Sequence, residues 1–306
     1  METLYDCIIL GSGPAGLTAA IYGKRACMSV LVIEKEFVSG GQVVNTSEVD
    51  NYPGCPGISG FDLGMKFREH AEHFGVEFTN AQVVDLQVEG PVKKVITEEG
   101  EFIGKTVVIA TGADHSMLNV PGEEELAGMG VSYCATCDGA FFKGKTVAVV
   151  GGGDVAIEDA IFLSKGCEKV YLIHRRDSLR GAKSLQEKLF SLPNVEIIWN
   201  SRVVRILGED QVESIHIVNN DTEQRSNLPV EGVFVAVGTR PNSTPFINKV
   251  EMDEAGYITA GEDCVTSQPG IFAAGDVRTK PLKQIVTAVS DGANAITSAQ
   301  NYLITL

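Results

Sequence analysis

Two stretches of the chain repeat one order of apolar and polar positions. The first, residues 5–36, reads YDCIILGSGPAGLTAAIYGKRACMSVLVIEKE, with a short apolar run, a glycine-rich break, a longer alanine-rich run and a second short apolar run. The second, residues 145–177, reads KTVAVVGGGDVAIEDAIFLSKGCEKVYLIHRRD and has the same order. Short apolar runs bounded by glycine are typical of buried strands, and the longer runs have the length of a helix. Each stretch therefore predicts a β-strand, an α-helix and a second β-strand.

The glycine-rich breaks have the spacing of a dinucleotide-binding turn, G-x-G-x-x-G/A. In such a turn the first glycine permits the tight bend, the second lets the backbone approach a diphosphate, and the third lets the helix pack on the strand. The diphosphate lies at the helix N-terminus, where free N–H groups favour negative charge. Two copies, each between a strand and a helix, predict two dinucleotide sites. Their positions are Gly11, Gly13 and Gly16 in the first stretch, and Gly151, Gly153 and Ala156 in the second.

The two stretches differ at the end of their second strand, 23 residues after the first glycine. The first has Glu34 there, and a carboxylate at this position accepts hydrogen bonds from a ribose 2′-hydroxyl and repels a 2′-phosphate. The second has HRRDSLR, and arginine suits phosphate recognition. We therefore predict a dinucleotide with a free ribose in the first site and NADPH in the second, although HRRDSLR also fits a solvated charged loop. Its cationic side chains are His174, Arg175, Arg176 and Arg180.

Similar strand-and-glycine segments flank the second stretch. VVIATGA precedes it and FVAVGTRPN follows it, and both end an apolar run at a glycine. A third segment, GIFAAGDVR, ends its apolar run in Gly-Asp and is followed by a helical pattern. We therefore predict an α/β protein with two Rossmann-like dinucleotide-binding domains. The NADPH domain, residues 114–243, is inserted into a discontinuous domain made of residues 1–113 and 244–306.

Charge and composition narrow the classes of partner. The 306 residues carry a formal net charge of −15, which argues against nucleic acid, since phosphate contacts need a basic surface. No run approaches the roughly 18 uncharged apolar residues of a membrane span, so we expect no membrane partner. The start METLYD has acids where an export signal carries basic residues, and seven cysteines, an odd number, do not suit a secreted disulfide framework. We therefore expect a cytoplasmic protein.

The segment YCATCDGAFF, residues 133–142, combines a close cysteine pair with an acid and two aromatic residues. Thiols in C-x-x-C have depressed pKa values, which supplies a reactive thiolate for thiol–disulfide exchange. Asp138 follows Cys137 directly and is the predicted proton carrier for the sulfur that leaves. Zinc would need further ligands, and the sequence has no second C-x-x-C or H-x-x-x-H motif, so no metal is predicted. Cys134 and Cys137 are the predicted redox pair.

In order and spacing, these motifs make the chain similar to the bacterial low-molecular-weight thioredoxin reductases. The resemblance implies a homodimeric flavoenzyme with FAD in the first domain, and with NADPH and the redox disulfide in the inserted one. It also implies thioredoxin or a thioredoxin-like protein as the partner, with Phe141 and Phe142 as candidate docking residues. The motifs that carry the resemblance, which covers nearly the whole chain, are GSGPAG, GGQ, ATGA, CATCDG, GGGDVA, HRRDSLR and GIFAAGD.

The resemblance further implies which residues line the two cofactors. The residues at FAD would be Gly11, Gly13, Pro14, Ala15, Gly16, Glu34, Gly41, Gln42, Asn51, Ala110, Thr111, Gly112, Gly275, Asp276, Lys283, Gln284 and Ile285. The residues at NADPH would be Gly151, Gly153, Asp154, Val155, Ala156, His174, Arg175, Arg176 and Arg180. The chain departs from the family at Met129, where an arginine is usual, and at Val155, where a small hydroxyl residue is common.

Other classes of protein use some of the same parts. The glutathione-reductase type places its cysteine pair in the first domain, where FVSGGQVVNTSEVDNYPG has no cysteine here. A ferredoxin-linked relative would keep FAD and C-x-x-C but would have no use for GGGDVA and HRRDSLR. A non-enzymatic flavin redox sensor would need no proton carrier beside an exchanging pair. The motifs therefore favour an NADPH-dependent thioredoxin reductase over these alternatives.

Overall fold

The computed structural model describes residues 3–46, 48–88 and 90–306, which form two compact units. Unit 1 consists of Met1–Asp114 and Arg240–Leu306, and unit 2 of His115–Thr239. The units divide within a few residues of the predicted boundaries, and the assignment of one domain to FAD and the other to NADPH stays a prediction. The short strands β7 (Ala113–His115) and β16 (Thr239–Pro241) lie where the chain passes between the units, and they pair with each other.

Unit 1 is built on a sheet that contains seven strands among the described residues. The central order is β3-β2-β1-β6, and these strands are parallel. Strand β6 has two further neighbours: β5, which runs antiparallel and leads to β4, and β17, which is parallel. The strands are β1 (Leu4–Leu10), β2 (Val30–Glu34), β3 (Glu77–Asn80), β4 (Val83–Gln87), β5 (Lys93–Thr97), β6 (Glu101–Ile109) and β17 (Ile271–Ala273).

Register places three strand ends side by side in unit 1. Leu10 of β1 pairs with Ile109 of β6, and Ile109 also pairs with Ala273 of β17. The backbone that follows each strand therefore emerges at one edge of the sheet. In open parallel sheets this carboxyl edge is where ligands bind.

Alternating side chains give the unit 1 sheet two buried faces. Cys7 and Ile9 belong to a cluster with the helices α1 (Pro14–Arg25) and α6 (Ile285–Ile304), and Ile8 and Leu10 belong to a cluster on the opposite face. A Cβ atom added at Gly292 of α6 would overlap the carbonyl oxygen of Ala15, so the glycine permits the close contact of the two helices. The remaining helix of unit 1 is α2 (Gly60–His73), and short 3₁₀ turns cover Gly41–Asn45, Thr244–Phe246 and Gly275–Val277.

Unit 2 has three layers: helices, a parallel sheet and an antiparallel sheet. The parallel sheet has the order β11-β10-β9-β15-β8, and the antiparallel sheet has the order β12-β13-β14. One apolar cluster lies between the parallel sheet and the helices, and another lies between the two sheets. The strands are β8 (Val131–Ser132), β9 (Thr146–Gly151), β10 (Lys169–Ile173), β11 (Val195–Ile198), β12 (Ser201–Leu207), β13 (Ser214–Asn219), β14 (Arg225–Pro229) and β15 (Gly232–Ala236). The helices are α3 (Ala135–Asp138), α4 (Asp154–Leu163) and α5 (Lys183–Phe190), and a 3₁₀ turn covers Gly139–Phe142.

The predicted α/β class, with one Rossmann-like unit inserted into another, is confirmed. Both predicted strand–helix–strand stretches form, as β1-α1-β2 and β9-α4-β10, and the apolar run of GIFAAGDVR forms β17. The antiparallel sheet of unit 2 was not predicted. Among the described residues, no helix combines the length and the apolar character needed to cross a membrane.

Candidate functional site

The first glycine turn of unit 1 leaves room for a ligand at only one of its three glycines. Gly11 has a φ of +104°, and a Cβ there would overlap the carbonyl oxygen of Ala110. A Cβ at Gly16 would overlap the carbonyl oxygen of Gly11. Above Gly13, in contrast, the nearest atoms to an added Cβ lie 4.0 Å away. Gly13 is also the N-cap of α1 and has no side-chain cap, so the free N–H groups of the helix face this open space.

Glu34 lies at the end of β2, as the sequence predicts, but its carboxylate already has partners. Oε2 accepts hydrogen bonds from the backbone N–H of Ser12 at 2.7 Å and from the Ser12 hydroxyl at 2.8 Å. Oε1 accepts one from the N–H of Glu36 at 3.0 Å. Ser12 is fully buried, and sequence reasoning missed it because it was only the variable position of the glycine motif. Ser12 fixes the carboxylate against the turn.

The Gly275–Asp276 turn lies at the same edge of the unit 1 sheet. Gly275 has a φ of +76°, and its N–H donates to Asp291 Oδ2 at 2.8 Å. The Oδ1 atom of Asp276 is buried and has no hydrogen-bond partner among the described residues. Burial raises the pKa of Asp276, although the ammonium groups of Lys283 and Lys280 act in the opposite direction. A buried carboxyl oxygen without a hydrogen-bond partner marks a position to which a ligand hydroxyl would donate a hydrogen bond.

A buried ionic cluster on α6 supports this turn. Asp291 is 2% exposed and forms a two-bond pair with the Arg278 guanidinium at 2.7 and 2.8 Å. Its Oδ2 also accepts from the Lys280 ammonium at 2.8 Å. Burial alone would raise the pKa of Asp291, but the bonds from Arg278 and Lys280 more than offset it, so the pKa lies below its ordinary value. Sequence reasoning missed this cluster, and its only signal was an acid inside the apolar helix pattern AVSDGANAI.

The other residues predicted at FAD lie in unit 1, and several pairs meet from distant parts of the chain. Asn51 donates to the side chain of Gln284 at 3.0 Å, and a Cβ at Gly41 would lie 3.3 Å from Gly13. Gln284 caps α6 in a reciprocal pair with Thr287. The remaining residues are Pro14 and Ala15 in the first turn of α1, Gln42 in a 3₁₀ turn, Ala110, Thr111 and Gly112 after β6, Lys283 with its ammonium 4.0 Å from the Tyr257 ring centroid, and Ile285 at the start of α6.

The glycine turn of unit 2 repeats the steric pattern of unit 1. A Cβ at Gly151 would overlap the carbonyl oxygen of Ala236, whereas no atom lies within 4 Å of a Cβ at Gly153. Gly153 is the N-cap of α4 and has no side-chain cap. Asp154 Oδ1 accepts from the N–H of Ala182 at 2.7 Å, which ties the following loop to the helix start. Val155 is 61% exposed and Ala156 is buried.

The cationic residues that were predicted at NADPH divide into two groups. The His174 ring is 4% exposed and lies so close to Gly152 that a Cβ there would overlap it, and its Nε2 is 3.0 Å from the carbonyl oxygen of Ser178. Burial lowers the pKa of His174, and the charges of Arg180 and Arg176 lower it further. Its role as a phosphate ligand stays a prediction, whereas its observed contacts shape the turn.

The side chains of Arg175, Arg176 and Arg180 are exposed. Among residues 3–46, 48–88 and 90–306, none of their guanidinium groups forms an ion pair. The Arg180 N–H donates to the Gly152 carbonyl oxygen at 2.8 Å, which holds this loop against the glycine turn. The three guanidinium groups are therefore available to bind an anion.

Cys134 and Cys137 form a disulfide in unit 2. Cys134 is the N-cap of α3, and Asp138 is the last residue of that short helix. One Asp138 oxygen, Oδ2, accepts from the Ser132 hydroxyl at 2.6 Å, while Oδ1 is buried and has no partner among the described residues. Burial raises the pKa of Asp138, and the hydrogen bond from Ser132 lowers it in part. A carboxyl group that keeps its proton to higher pH than usual is suited to donate that proton.

The two aromatic residues after the disulfide have different environments. Phe141 is 39% exposed, whereas Phe142 is 8% exposed and packs edge-on against Phe234 in the core of unit 2. The predicted docking role of Phe142 is therefore wrong, because its ring has no free face for a partner. Sequence spacing could not separate two adjacent phenylalanines. Over the described part of the chain, no group of three or more His, Cys, Asp or Glu residues is arranged to hold a metal ion.

The chain is similar to known proteins over nearly its whole length. The family model described as pyridine nucleotide-disulphide oxidoreductase matches residues 5–292. A thioredoxin reductase from Listeria innocua is 46% identical over 304 residues, which cover 99% of this chain and 95% of the relative. One from Peptoclostridium acidaminophilum is 46% identical over 310 residues, with 99% and 98% covered. The crystal structure of thioredoxin reductase from Streptococcus pyogenes is 45% identical, covers 100% of both chains and has a TM-score of 0.95 to this one.

Proposed function

The chain belongs to the pyridine nucleotide-disulphide oxidoreductases, and within that family we propose that it is an FAD-containing thioredoxin reductase that takes its electrons from NADPH. One observation carries the proposal most directly. Unit 2 holds a Cys134–Cys137 disulfide, a buried acid with one free oxygen beside it, and a second dinucleotide turn with free arginines. These are the parts that a reductase of a protein disulfide requires.

The residues of unit 1 fit a flavin dinucleotide with a free ribose. The open space above Gly13 at the N-terminus of α1 suits a diphosphate, and Glu34, anchored by Ser12, suits a ribose hydroxyl. The buried Oδ1 of Asp276 would be satisfied by a hydroxyl of the ligand. When bound, FAD supplies a carrier that takes two electrons from a nicotinamide as hydride and passes them to a disulfide.

The residues of unit 2 fit NADPH better than NADH. Gly153 leaves the N-terminus of α4 open to a diphosphate. Arg175, Arg176 and Arg180 lie on the loop that is tied to this turn, and planar guanidinium groups bind phosphate through paired hydrogen bonds. The 2′-phosphate is the group that distinguishes NADPH, so these side chains would set the preference.

The redox pair would reduce thioredoxin or a thioredoxin-like protein by thiol–disulfide exchange. The names of the similar proteins support this partner, and the exposed ring of Phe141 is the remaining candidate for contact with it. Cys134 or Cys137 would form the mixed disulfide, and Asp138 would carry the proton of the sulfur that leaves. We extend the proposal to a homodimer in the cytoplasm, where the five cysteines outside the pair, which are free thiols here, would stay reduced.

An anaerobic stopped-flow assay tests the function. The purified protein is expected to be yellow with one FAD per chain, to lose its flavin colour on mixing with NADPH, and to regain it when oxidised thioredoxin is added. NADH should bleach the flavin far more slowly. If the flavin is reduced by reduced ferredoxin and not by NADPH, the electron donor is misassigned. A folded, colourless protein that takes up no FAD overturns the proposal as a whole.

Two variants separate the half-reactions. Cys134→Ser and Cys137→Ser should abolish the reduction of thioredoxin, because exchange needs both sulfurs, while bleaching of the flavin by NADPH continues. The matched control is Cys27→Ser, which changes an exposed free thiol of unit 1 and should leave both half-reactions intact. Full turnover by either variant of the pair would show that this disulfide is not the redox centre.

A further inference from the structure

Ser132 lies between the backbone of the redox pair and the acid that follows it. It is the last residue of β8, 5% exposed, and sequence reasoning assigned it no role. Its hydroxyl donates to Asp138 Oδ2 at 2.6 Å and accepts from the backbone N–H of Cys134 at 3.1 Å. The carbonyl oxygen of Cys134 is a weaker alternative acceptor at 3.3 Å. One small side chain therefore joins the acid to the cysteine.

These contacts determine where a proton can be on the Asp138 carboxyl. A serine hydroxyl has one hydrogen to donate, and here it is directed to Oδ2. Because Oδ2 accepts that hydrogen, it is the poorer place for a proton of its own. The other oxygen, Oδ1, is buried and has no hydrogen-bond partner among the described residues.

We propose that Ser132 is a positioning residue for proton transfer at the redox pair, because its hydroxyl occupies Oδ2 of Asp138 and so makes Oδ1 the oxygen that carries the proton. The same serine holds the Cys134 backbone through its N–H, which fixes the carboxyl relative to the disulfide. The inference deepens the proposed function and rests on it, since it assigns the proton path of the exchange reaction.

The exchange reaction balances with this assignment. A thiolate of the reduced pair forms a bond to one sulfur of the partner disulfide, the partner S–S bond breaks, and the displaced sulfur takes the Oδ1 proton of Asp138. The second thiol of the pair then gives its proton to the Asp138 carboxylate, attacks its neighbour in the mixed disulfide and releases the partner's second thiolate, which takes a proton from water. The pair ends as a disulfide, the partner as two thiols, and Asp138 is protonated again.

Other titratable groups near Asp138 do not account for its raised pKa. The helix α4, which packs against α3, carries Asp154, Glu158 and Asp159, and the 3₁₀ turn Gly139–Phe142 carries no titratable group. Tyr133 follows Ser132, and Lys143 follows that turn. The pKa of Asp138 is raised by burial and lowered by the Ser132 bond, and none of these charges contributes. Removing the Ser132 hydroxyl should therefore act on Asp138 directly.

Infrared titration of the oxidised protein, without NADPH or thioredoxin, tests the proton position. The spectrum of Asp138→Asn is subtracted to isolate the Asp138 band. In the unmodified protein the protonated acid should absorb at the frequency of a hydrogen-bonded carbonyl, because Oδ2 accepts from Ser132. A band at the frequency of a free carbonyl would place the proton on Oδ2 and overturn the inference, and this measurement needs no Ser132 variant to fold.

The pH dependence of the thiol–disulfide exchange rate tests whether Ser132 acts on the Asp138 carboxyl. In Ser132→Ala the ionised carboxylate loses a hydrogen bond, so the Asp138 pKa rises further and the acid stays protonated to higher pH. The alkaline limb of the single-turnover rate with oxidised thioredoxin should therefore move to higher pH, and the plateau rate should fall by about tenfold. Asp138→Asn should lose more, towards the roughly 10²–10⁴-fold that general-acid catalysis contributes. Ser132→Thr keeps the hydroxyl and should keep the profile of the unmodified protein.

The outcomes separate the positioning role from the function. A Ser132→Ala protein whose alkaline limb and infrared titration match the unmodified protein shows that Ser132 does not act through Asp138. If the infrared titration shows that the Asp138 pKa rises in Ser132→Ala, but the unmodified protein reduces no thioredoxin, the proposed function fails while the coupling between Ser132 and Asp138 stands. If the limb moves to lower pH, the hydrogen bond favours the protonated form of Asp138, and the proposed proton position is wrong.

Discussion

The glycine-rich turns of unit 1 and unit 2 each lead into a helix whose N-cap is a glycine, Gly13 or Gly153, but the groups packed behind the two turns differ. In unit 1 the third position of the motif is Gly16, with no room for a methyl group, and the neighbouring Gly275 turn is held by the buried Asp291 cluster. In unit 2 the third position is Ala156, the buried His174 ring packs on the turn, and the cations beside it that can meet a ligand are exposed arginines. The charged cluster behind the first turn is therefore buried and paired before a ligand binds, whereas the arginines beside the second turn are exposed to solvent.

This difference suits two kinds of ligand. A site whose polar groups are ordered before binding gives up little entropy when the ligand arrives, and so it can hold that ligand tightly. A site built from exposed, flexible arginines must order them at each binding event, which favours exchange. The comparison predicts a tightly bound dinucleotide in unit 1 and a dinucleotide that binds and dissociates in each turnover in unit 2. The following variants test it, from the largest expected effect to the smallest.

Gly16→Ala should be the most damaging change. Its methyl group would overlap the Gly11 carbonyl oxygen, so the helix or the turn must move, and we expect a loss of more than about 4 kcal/mol in the free energy of unfolding together with failure to retain FAD. The matched control is Ala156→Gly in unit 2, which should cost only about 1–2 kcal/mol for one methyl group and a more flexible helix start. Urea unfolding and the FAD content after gel filtration measure both. Equal losses in the two variants would remove the distinction between the turns.

Asp291→Asn should destabilise unit 1 by roughly 3–5 kcal/mol at pH 7, because the buried Arg278 and Lys280 lose the carboxylate that pairs with both. The exposed Glu262, at 3.9 Å from Arg278, is a weak replacement. The pKa of Asp291 is depressed in the folded state, so its contribution to stability is present above the ordinary value of 3.8 and is lost as the pH falls through the folded pKa. The unfolding curves of variant and unmodified protein should therefore converge in acid. Asp85→Asn, which removes the exposed ion pair with Lys249, is the control and should cost under about 1 kcal/mol.

Replacing Arg175 and Arg176 by glutamine should weaken only the use of the nucleotide proposed for unit 2. Hydrogen bonds to charged groups contribute roughly 1.5–3 kcal/mol each, so kcat/KM for NADPH should fall by about two orders of magnitude or more, while that for NADH barely changes. Arg205→Gln, a change of another exposed arginine of unit 2, should leave both values intact. Equal losses with both donors would mean that the two arginines support the fold rather than the phosphate. The FAD content should stay at one per chain throughout.

Asp159→Asn should give the smallest effect, with a sign opposite to that of Asp291→Asn. Burial, and then the charge of Glu158, raise the pKa of Asp159 to about 7, and no described residue compensates its charge. The ionised carboxylate therefore destabilises unit 2 increasingly as pH rises from 3.8 through about 7. The variant should be more stable by about 1–2 kcal/mol at pH 8, a figure reduced for partial exposure, and equal to the unmodified protein near pH 4. Glu168→Gln, at an exposed position of unit 2 that does not act on the pKa of Asp159, is the control.

The sequence was sufficient for features that depend on local sterics. The steric roles of Gly11 and Gly16 could be predicted because the turn itself disfavours a side chain there: Gly11 has a φ of +104°, and a Cβ at Gly16 would overlap the Gly11 carbonyl oxygen. The two strand–helix–strand units followed from the apolar periodicity, and α6 from the pattern after Gly-Asp. Such features require only a few neighbouring residues.

The sequence was insufficient where two distant side chains meet. Ser12 with Glu34, Ser132 with Asp138 and Asp291 with Arg278 are each short polar contacts that depend on tertiary packing, and nothing in the local pattern separates them from solvated residues. The same holds for which of two adjacent residues is buried. His174 points inwards while Arg175 is exposed, and Phe142 is buried while Phe141 is not.

The discontinuity of unit 1 sets an order for events during synthesis. When β6 leaves the ribosome, its partners β17 and α6 have not yet been made, and the faces that they later cover remain exposed. At about 5–20 residues per second, translation of residues 115–306 takes roughly 10–40 s. The contiguous unit 2 can complete its core in that interval, while the segment Val107–Ile109 of β6 still lacks its β17 partner. If the proposed flavin is bound through Asp276, its capture must follow, and a shortage of the cofactor would then affect completed chains and not growing ones.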